Sequence, residues 1–215
     1  IINEYGFYRG IQSYTKRAIS ESKLNEDKDK PGVVGPTGVP YYIYHAINEW
    51  VVYHFHDTGR HSPLKRSEVT SHHRRLDEDG KNIAPVLLRI KNEYQDTYYK
   101  IKRIATHIAP FFDDFTLVPE KTSEGEIVRL QWKQKGSDYP FQVYHFSDGT
   151  LRFIALITAL LQPNSPTTII IDEPELGLHP QAISLLAEVI KSISTQKQLI
   201  ISTQSTNLVG EFEPE

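Results

Sequence analysis

The chain has 215 residues with 39% hydrophobic and 24% charged side chains, which is the composition of a soluble globular protein with enough chain to bury a core. A formal net charge of −3 excludes a globally basic surface for nucleic acid but leaves room for a local patch. The absence of cysteine excludes a disulfide framework and any thiolate metal site, and no apolar run is long enough for a bilayer, so a cytoplasmic protein is expected.

Residues 1–81 are expected to form a connector and part of a helical or inserted lobe. The stretch "ESKLNEDKDKPGVVGPTGVP" combines a charge run with alternating Pro and Gly, and it reads as a loop. "YYIYHAINEWVVYHF" (Tyr41–Phe55) is expected to begin as a helix and end in a short strand. Residues 57–80 are polar and read as loop.

Residues 82–140 read as a helical lobe followed by a β-hairpin. Ala84, Leu87, Ile90, Tyr94, Tyr98, Ile101 and Ile104 fall three or four apart, the helical period. Asn82 is placed to cap the start, Pro110 ends the run, and a break near Gln95 or Asp96 would make two helices. Val128, Leu130 and Trp132 alternate with Arg129, Gln131 and Lys133, which predicts a strand. "GSD" supplies a turn and Phe141–Val143 the return strand.

Residues 141–215 change character. "SDGTLRFIALITALL" reads as a buried helix opening at Ser147, "TTIII" as a short apolar strand, and "PQAISLLAEVIKSIS" as an amphipathic helix. The apolar face of that helix carries Ala182, Leu185, Leu186, Val189 and Ile193, and "QLIIST" follows as a second strand. Alternating helices and two-sided apolar strands predict an α/β fold on a parallel sheet.

The first of these strands ends on Asp172 and Glu173. Ligands of parallel α/β sheets sit beyond the carboxyl ends of the strands. Two adjacent carboxylates there repel unless a cation lies close, and Mg²⁺ carrying a nucleotide meets that need with few protein ligands. Taken alone, "IIIDE" fits a solvated acidic turn equally well. Two neighbours favour the ligand reading. Ser147-Asp148-Gly149 opens a helix whose free N–H groups suit a phosphate, and the second strand ends in the polar "STQSTNLV" at the same sheet edge.

Together these residues resemble the C-terminal half of an ABC-type ATPase head, in the manner of the RecF-like and SMC-like ATPases and the single-chain AAA family ATPases. "FSDGTLRFIAL" looks like the signature motif, "TIIIDEPELGLHP" like Walker B with the D-loop, and "IISTQS" like the switch strand. The fold this implies is a P-loop NTPase core with a helical signature lobe. The resemblance makes Asp172 the Mg²⁺ residue, Glu173 the catalytic glutamate, and Ser147, Asp148 and Gly149 the signature. It puts Leu178, His179 and Pro180 in the D-loop and Gln204 at the switch position. The implied cofactors are ATP and Mg²⁺. The implied assembly is a head-to-tail homodimer joined through ATP, with DNA or a nucleic-acid-processing partner, in repair or anti-phage defence and away from membranes.

Three departures qualify it. Asp148 stands where transporters have glycine and would repel a phosphate if pointed at one. Gln204 stands where a histidine is usual and cannot take a charge, so slow hydrolysis is expected. No G-x-x-x-x-G-K-[ST] occurs, and "GPTGVP" (Gly35–Pro40) lacks the lysine. With no methionine and a start at Ile1, the chain is read as an internal piece of a longer protein, inactive by itself. An alternative is a nucleotide-gated switch with weak hydrolysis that regulates an effector such as a nuclease. A binding fragment with vestigial motifs is a third reading.

Other groupings carry less. His54, His56 and Asp57 suggest a metal site, but no third ligand is evident. "HHRR" (His72–Arg75) with Lys65 and Arg66 fits a solvated loop better than a DNA contact. Tyr139, Tyr144 and Trp132 are expected in the core, and Asp113-Asp114 in a helix-capping turn.

Overall fold

A computed structural model describes residues 5–8, 11–15, 47, 50–123 and 125–212. The chain divides into two compact units, residues 1–50 and 51–215. In the first, β1 (Tyr5–Tyr8) and β2 (Ile11–Thr15) pair antiparallel, a ladder not anticipated from the sequence. The expected connector around residues 21–40 and the expected helical start at Tyr41 lie outside the described residues.

The second unit begins with β3 (Val51–Tyr53), β4 (Glu68–Val69), α1 (Ile83–Glu93) and α2 (Gln95–Ile108). Five short strands follow: β5 (Phe112–Thr116), β6 (Glu120–Thr122), β7 (Gly125–Val128), β8 (Gln131–Gln134) and β9 (Pro140–Gln142). The chain then runs through α3 (Asp148–Leu161), β10 (Thr168–Asp172), α4 (Pro180–Ser194), β11 (Gln198–Ser202) and α5 (Thr206–Gly210).

The α/β character expected of the last third is present. β10 is the central strand of a parallel sheet ordered β11-β10-β3, with Ile170 opposite both Val52 and Ile200. β3 is the short strand expected at the end of Tyr41–Phe55, and it joins the core sheet. Val51, Tyr53, Ile169 and Ile171 turn inward to share one core with α3 and α4. On the other face Val52 is 41% and Ile200 42% exposed, so within this unit the apolar strands are covered on one side. α3 is buried from Leu151 to Leu160 and forms the centre of the core. A buried Tyr53 hydroxyl closes the polar accounts there: it donates to the Leu76 carbonyl (3.3 Å) and accepts from Gln162 Nε2 (2.9 Å). Burial pushes its pKa up to about 12.

The predicted helical break is where Tyr94 leaves helical geometry, with φ −136° between α1 and α2. Asn82, expected as a cap, makes no capping bond. Fully buried, it staples the preceding loop instead: its amide donates to the carbonyls of His72 (3.1 Å) and Arg75 (2.8 Å) and accepts from the Asp77 N–H (2.8 Å). A side chain with two donors and an acceptor serves a loop better than a helix end that asks only for an acceptor.

The predicted strand through Val128 and Trp132 is two strands. β7 pairs with β4 and β6, whereas β8 pairs with β5 and β9, and the chain changes sheet at Arg129–Leu130. The return strand is Pro140–Gln142, and Val143 begins a 3₁₀ turn. Trp132 is core, stacked on Phe146 (4.6 Å between ring centroids) and Phe141 (4.8 Å). Tyr139 and Tyr144, also expected in the core, are 72% and 57% exposed. The stack on Phe146 fixes the chain immediately before Ser147.

Asp113 and Asp114 lie in β5, not in a capping turn. Asp114 accepts from the Tyr98 hydroxyl (2.7 Å) and Lys91 Nζ (3.2 Å), with Lys102 Nζ 3.6 Å away, and so ties β5 to both helices. Burial raises its pKa, but these donors outweigh burial and hold the carboxyl below its ordinary range. A folded-state pKa below the unfolded one stabilises above the unfolded value and loses that stabilisation as pH falls through the folded one. Asp114→Asn is therefore expected to cost about 1–2 kcal/mol at pH 7, the scale of a charge-assisted hydrogen bond. The gap from the parent protein should close below about pH 4, near the unfolded aspartate pKa. Urea melts from pH 7 to pH 3 measure both.

Candidate active site at the strand ends

Local chemistry places the first group of residues. Asp172 ends β10, opposite Ser202 at the end of β11. The ladder continues one step further, where the Glu173 N–H donates to the Ser202 carbonyl at 2.9 Å. Glu173 then takes φ +43°, a left-handed geometry uncommon for a residue with a Cβ. That turn stops the strand and swings the glutamate to the sheet edge. The Ser202 hydroxyl donates to Asp172 Oδ1, and the Gln204 amide donates to Glu173 Oε1. Asp172, Glu173 and Gln204, singled out in the sequence, are thus brought together.

The charge here is left uncompensated. Among the described residues no Lys or Arg lies within ion-pair distance of Asp172 or Glu173. Beside them stands His56, whose Nε2 donates to the Asp172 carbonyl (3.1 Å) and lies 4.0 Å from Oδ2. His56, weighed as a metal ligand with His54 and Asp57, belongs to this cluster instead. No group of three His, Asp or Glu that could hold a metal alone exists among the described residues. One strand-end carboxylate with a hydroxyl beside it is a hard-oxygen set too small to strip a cation of its waters, which suits Mg²⁺ shared with phosphates.

The second group is the start of α3. Ser147 caps the helix, its Oγ accepting from the Thr150 N–H at 3.1 Å. The N–H groups of the first helical turn remain without helical partners. Asp148 is 62% exposed and pairs with Lys65 Nζ at 3.3 Å. Lys65 in turn donates to the Thr58 carbonyl at 2.5 Å and keeps only 9% of its side chain in water. The aspartate feared as a repulsive group therefore faces a fixed ammonium. Gly149, read as part of the signature, lies in the first turn of α3. The close approach seen is internal, since a Cβ there would collide with the Gly177 carbonyl. His179 caps α4, its Nδ1 accepting from the Gln181 N–H (3.4 Å).

Arg152 joins the two groups, and sequence reasoning passed over it. The residue is only 6% exposed. Its Nε donates to the Phe55 carbonyl (2.8 Å), one Nη to the His56 carbonyl (2.9 Å) and the other to the Leu176 carbonyl. Burial pushes its pKa down, and the Asp148 charge opposes that. One guanidinium therefore holds α3, the end of β3 and the turn after β10. Gly177 sits in that turn at φ +74°, and a side chain there would strike Arg152. Glu175, also overlooked, accepts from the Thr203 hydroxyl (2.6 Å) and braces the turn against the residue that follows β11. A charged residue inside the otherwise apolar "LRFIALITALL" was the available signal for Arg152.

Residues 1–210 match the family described as "AAA domain, putative AbiEii toxin, Type IV TA system". The chain belongs to that family. Among solved structures it is similar to an SMC head bound to the C-winged helix domain of ScpA, at 17% identity and TM-score 0.42, covering 60% of this chain and 42% of that one. It is similar to an SMC ATPase studied for ATP-driven dimerization and DNA-stimulated activation, at 21% identity and TM-score 0.41, covering 57% of this chain and 78% of that one. The SMC head domain from Thermotoga maritima matches at 15% identity and TM-score 0.38, covering 60% and 45%. No curated protein matches the chain. Among the described residues of this AAA-domain protein no helix is long and apolar enough to cross a membrane.

Arg152→Lys offers one amine for three carbonyls. It is expected to destabilise by roughly 2–4 kcal/mol, the scale of unsatisfied buried acceptors. That corresponds to a Tm lower by roughly 5–15 °C in a domain of this size. Gly149→Ala is expected to act in the same direction by forcing the turn at Gly177 away from α3. Thermal melts of both variants check the joint.

Proposed function

We propose that the chain supplies the signature, Walker B and switch portions of an ATP-binding and ATP-hydrolysing site of ABC type, working as a head-to-tail dimer joined through ATP. The observation that carries this reading is the uncompensated Asp172–Glu173 pair at the carboxyl edge of a parallel sheet. Bound Mg²⁺ would supply positive charge to the phosphates. Asp172, kept in place by the Ser202 hydroxyl, holds that ion. Glu173 orients a water and takes its proton, and Gln204 fixes which way its carboxylate faces. Gln204 stays neutral, so it positions Glu173 without donating a charge. Ser147 and the first turn of α3 offer N–H and O–H donors to a phosphate held by the facing subunit. Lys65 keeps Asp148 from opposing that contact. No G-x-x-x-x-G-K-[ST] occurs in the chain, so the reading assigns none of these residues to a phosphate cradle.

Glu173→Gln in the full-length protein is expected to lower steady-state ATP turnover at least about 100-fold, the scale of a lost general base. The same variant should keep ATP-dependent thermal stabilisation. Unchanged turnover would remove Glu173 from the mechanism.

The Gln204–Glu173 hydrogen bond also favours a second reading, a nucleotide-gated switch that hydrolyses slowly and signals to an effector such as a nuclease. ATP-induced dimerisation with turnover too slow to reopen the dimer within minutes would select it. A nucleic-acid partner, in defence or repair, completes the proposal. The family description names a toxin–antitoxin system, which leans toward defence.

A further inference from the structure

A second feature of this unit is unlike the carboxylate edge. A cleft of about 610 Å³ opens between the loop after β3 and the junction of β7 with β8. Arg60, His61, Lys65 and Arg66 form one wall, and Arg129 and Tyr144 the other. None of the lining residues is acidic, although the chain as a whole carries −3. Arg129 is paired with Glu120 at 2.9 Å and Lys65 with Asp148. Arg60 and Arg66 are exposed and have no carboxylate within ion-pair distance among the described residues.

The wall is built, not a loose collection of surface charges. Ser62 is fully buried, and its hydroxyl donates to the Asp57 carbonyl (2.5 Å) and accepts from the Leu64 N–H (3.2 Å). That caps the short 3₁₀ turn Pro63–Lys65, whose Leu64 is buried in the core. Arg66 leaves the turn with a hydrogen bond to the His61 carbonyl (3.3 Å). Leu130 and Val143, both buried, anchor the opposite wall. Four permanent cations therefore line one concavity, two of them, Lys65 and Arg129, already paired with carboxylates. Tyr144 stands beside them with more than half its surface free.

We propose that this cleft binds the phosphodiester backbone of a single nucleic-acid strand. Arginine dominates the cations, and its planar fork matches phosphate oxygens in pairs. The free tyrosine ring adds a face on which a base can stack, the combination used by proteins that track single strands. An acidic peptide would use the charge but leave the ring idle. The inference rests on the nucleic-acid partner proposed above and is independent of the hydrolytic site.

The test is fluorescence anisotropy of a labelled mixed-sequence DNA 20-mer with the full-length protein, without nucleotide, over a salt series. Arg60→Glu/Arg66→Glu is compared with Lys100→Glu/Arg103→Glu, an equal charge change on α2. The cleft variant is expected to bind at least about tenfold more weakly, with a log–log salt slope shallower by about 1.4, or about 0.7 for each phosphate no longer neutralised. The α2 variant should stay within about twofold, and the cleft variant should keep the parental Tm and basal ATP turnover. Equal losses in both variants, or none in the cleft variant while the parent binds, would overturn the assignment and leave the nucleic-acid partner standing. Competition by polyglutamate as effective as by unlabelled DNA would overturn it in favour of an acidic peptide. A parent protein that binds no DNA at low salt would sink both the cleft and the nucleic-acid partner, without touching the ATPase reading.

Discussion

The buried guanidinium of Arg152 is the contact on which the site's geometry depends. A charged group at 6% exposure is tolerable only when its donors are used, and here three backbone carbonyls from two distant segments use them. Among the described residues no carboxylate forms an ion pair with it. The consequence is mechanical: the helix that begins at Ser147 cannot shift relative to the turn after Glu173 without stripping hydrogen bonds from a buried charge. Gly149 against the Gly177 carbonyl, and Gly177 against Arg152, close the remaining space in the same joint. A rigid link of this kind lets a displacement of α3 be felt at the strand-end carboxylates.

Charge is distributed on the same plan. Among the described residues the strand-end carboxylates have no Lys or Arg partner, while Lys65 is held against Asp148 and further cations gather in the neighbouring cleft. Lys65 belongs to both places, as the partner of Asp148 and as part of the cleft wall. A phosphate entering the cleft would meet an ammonium already committed to Asp148. Lys65 therefore stands where the cleft and the start of α3 meet.

Much of the site was legible in advance because it is encoded locally. Thr168–Asp172 is a run of β-branched residues ending in acids, and such a run makes a strand whatever surrounds it. Ser147 before Asp148 and His179 before Pro180 are helix starts readable from neighbouring residues. The helical period from Ala84 to Ile104, with a break expected near Gln95 or Asp96 and found at Tyr94, needs no tertiary information. The misreadings share a cause. Val128 to Trp132 alternates well enough for one strand, yet the chain divides between two sheets because separate partner strands claim its halves. Asn82 looks like a cap locally, but the loop at residues 72–77 competes for its amide. Tyr144 looks like core from its apolar ring, and only the surrounding fold leaves it in water.

The sequence by itself determined the α/β character of the last third, the acidic end of its central strand and the family to which the chain belongs, because each depends on residues adjacent in the chain or repeating at a short period. Tertiary structure alone decided that Arg152 reaches back 97 residues to Phe55, that Lys65 neutralises Asp148 across 83 residues, and that the cations of two separate segments face one cleft. Those pairings arise when packing brings distant segments together, and nothing in the local pattern of either segment encodes its partner.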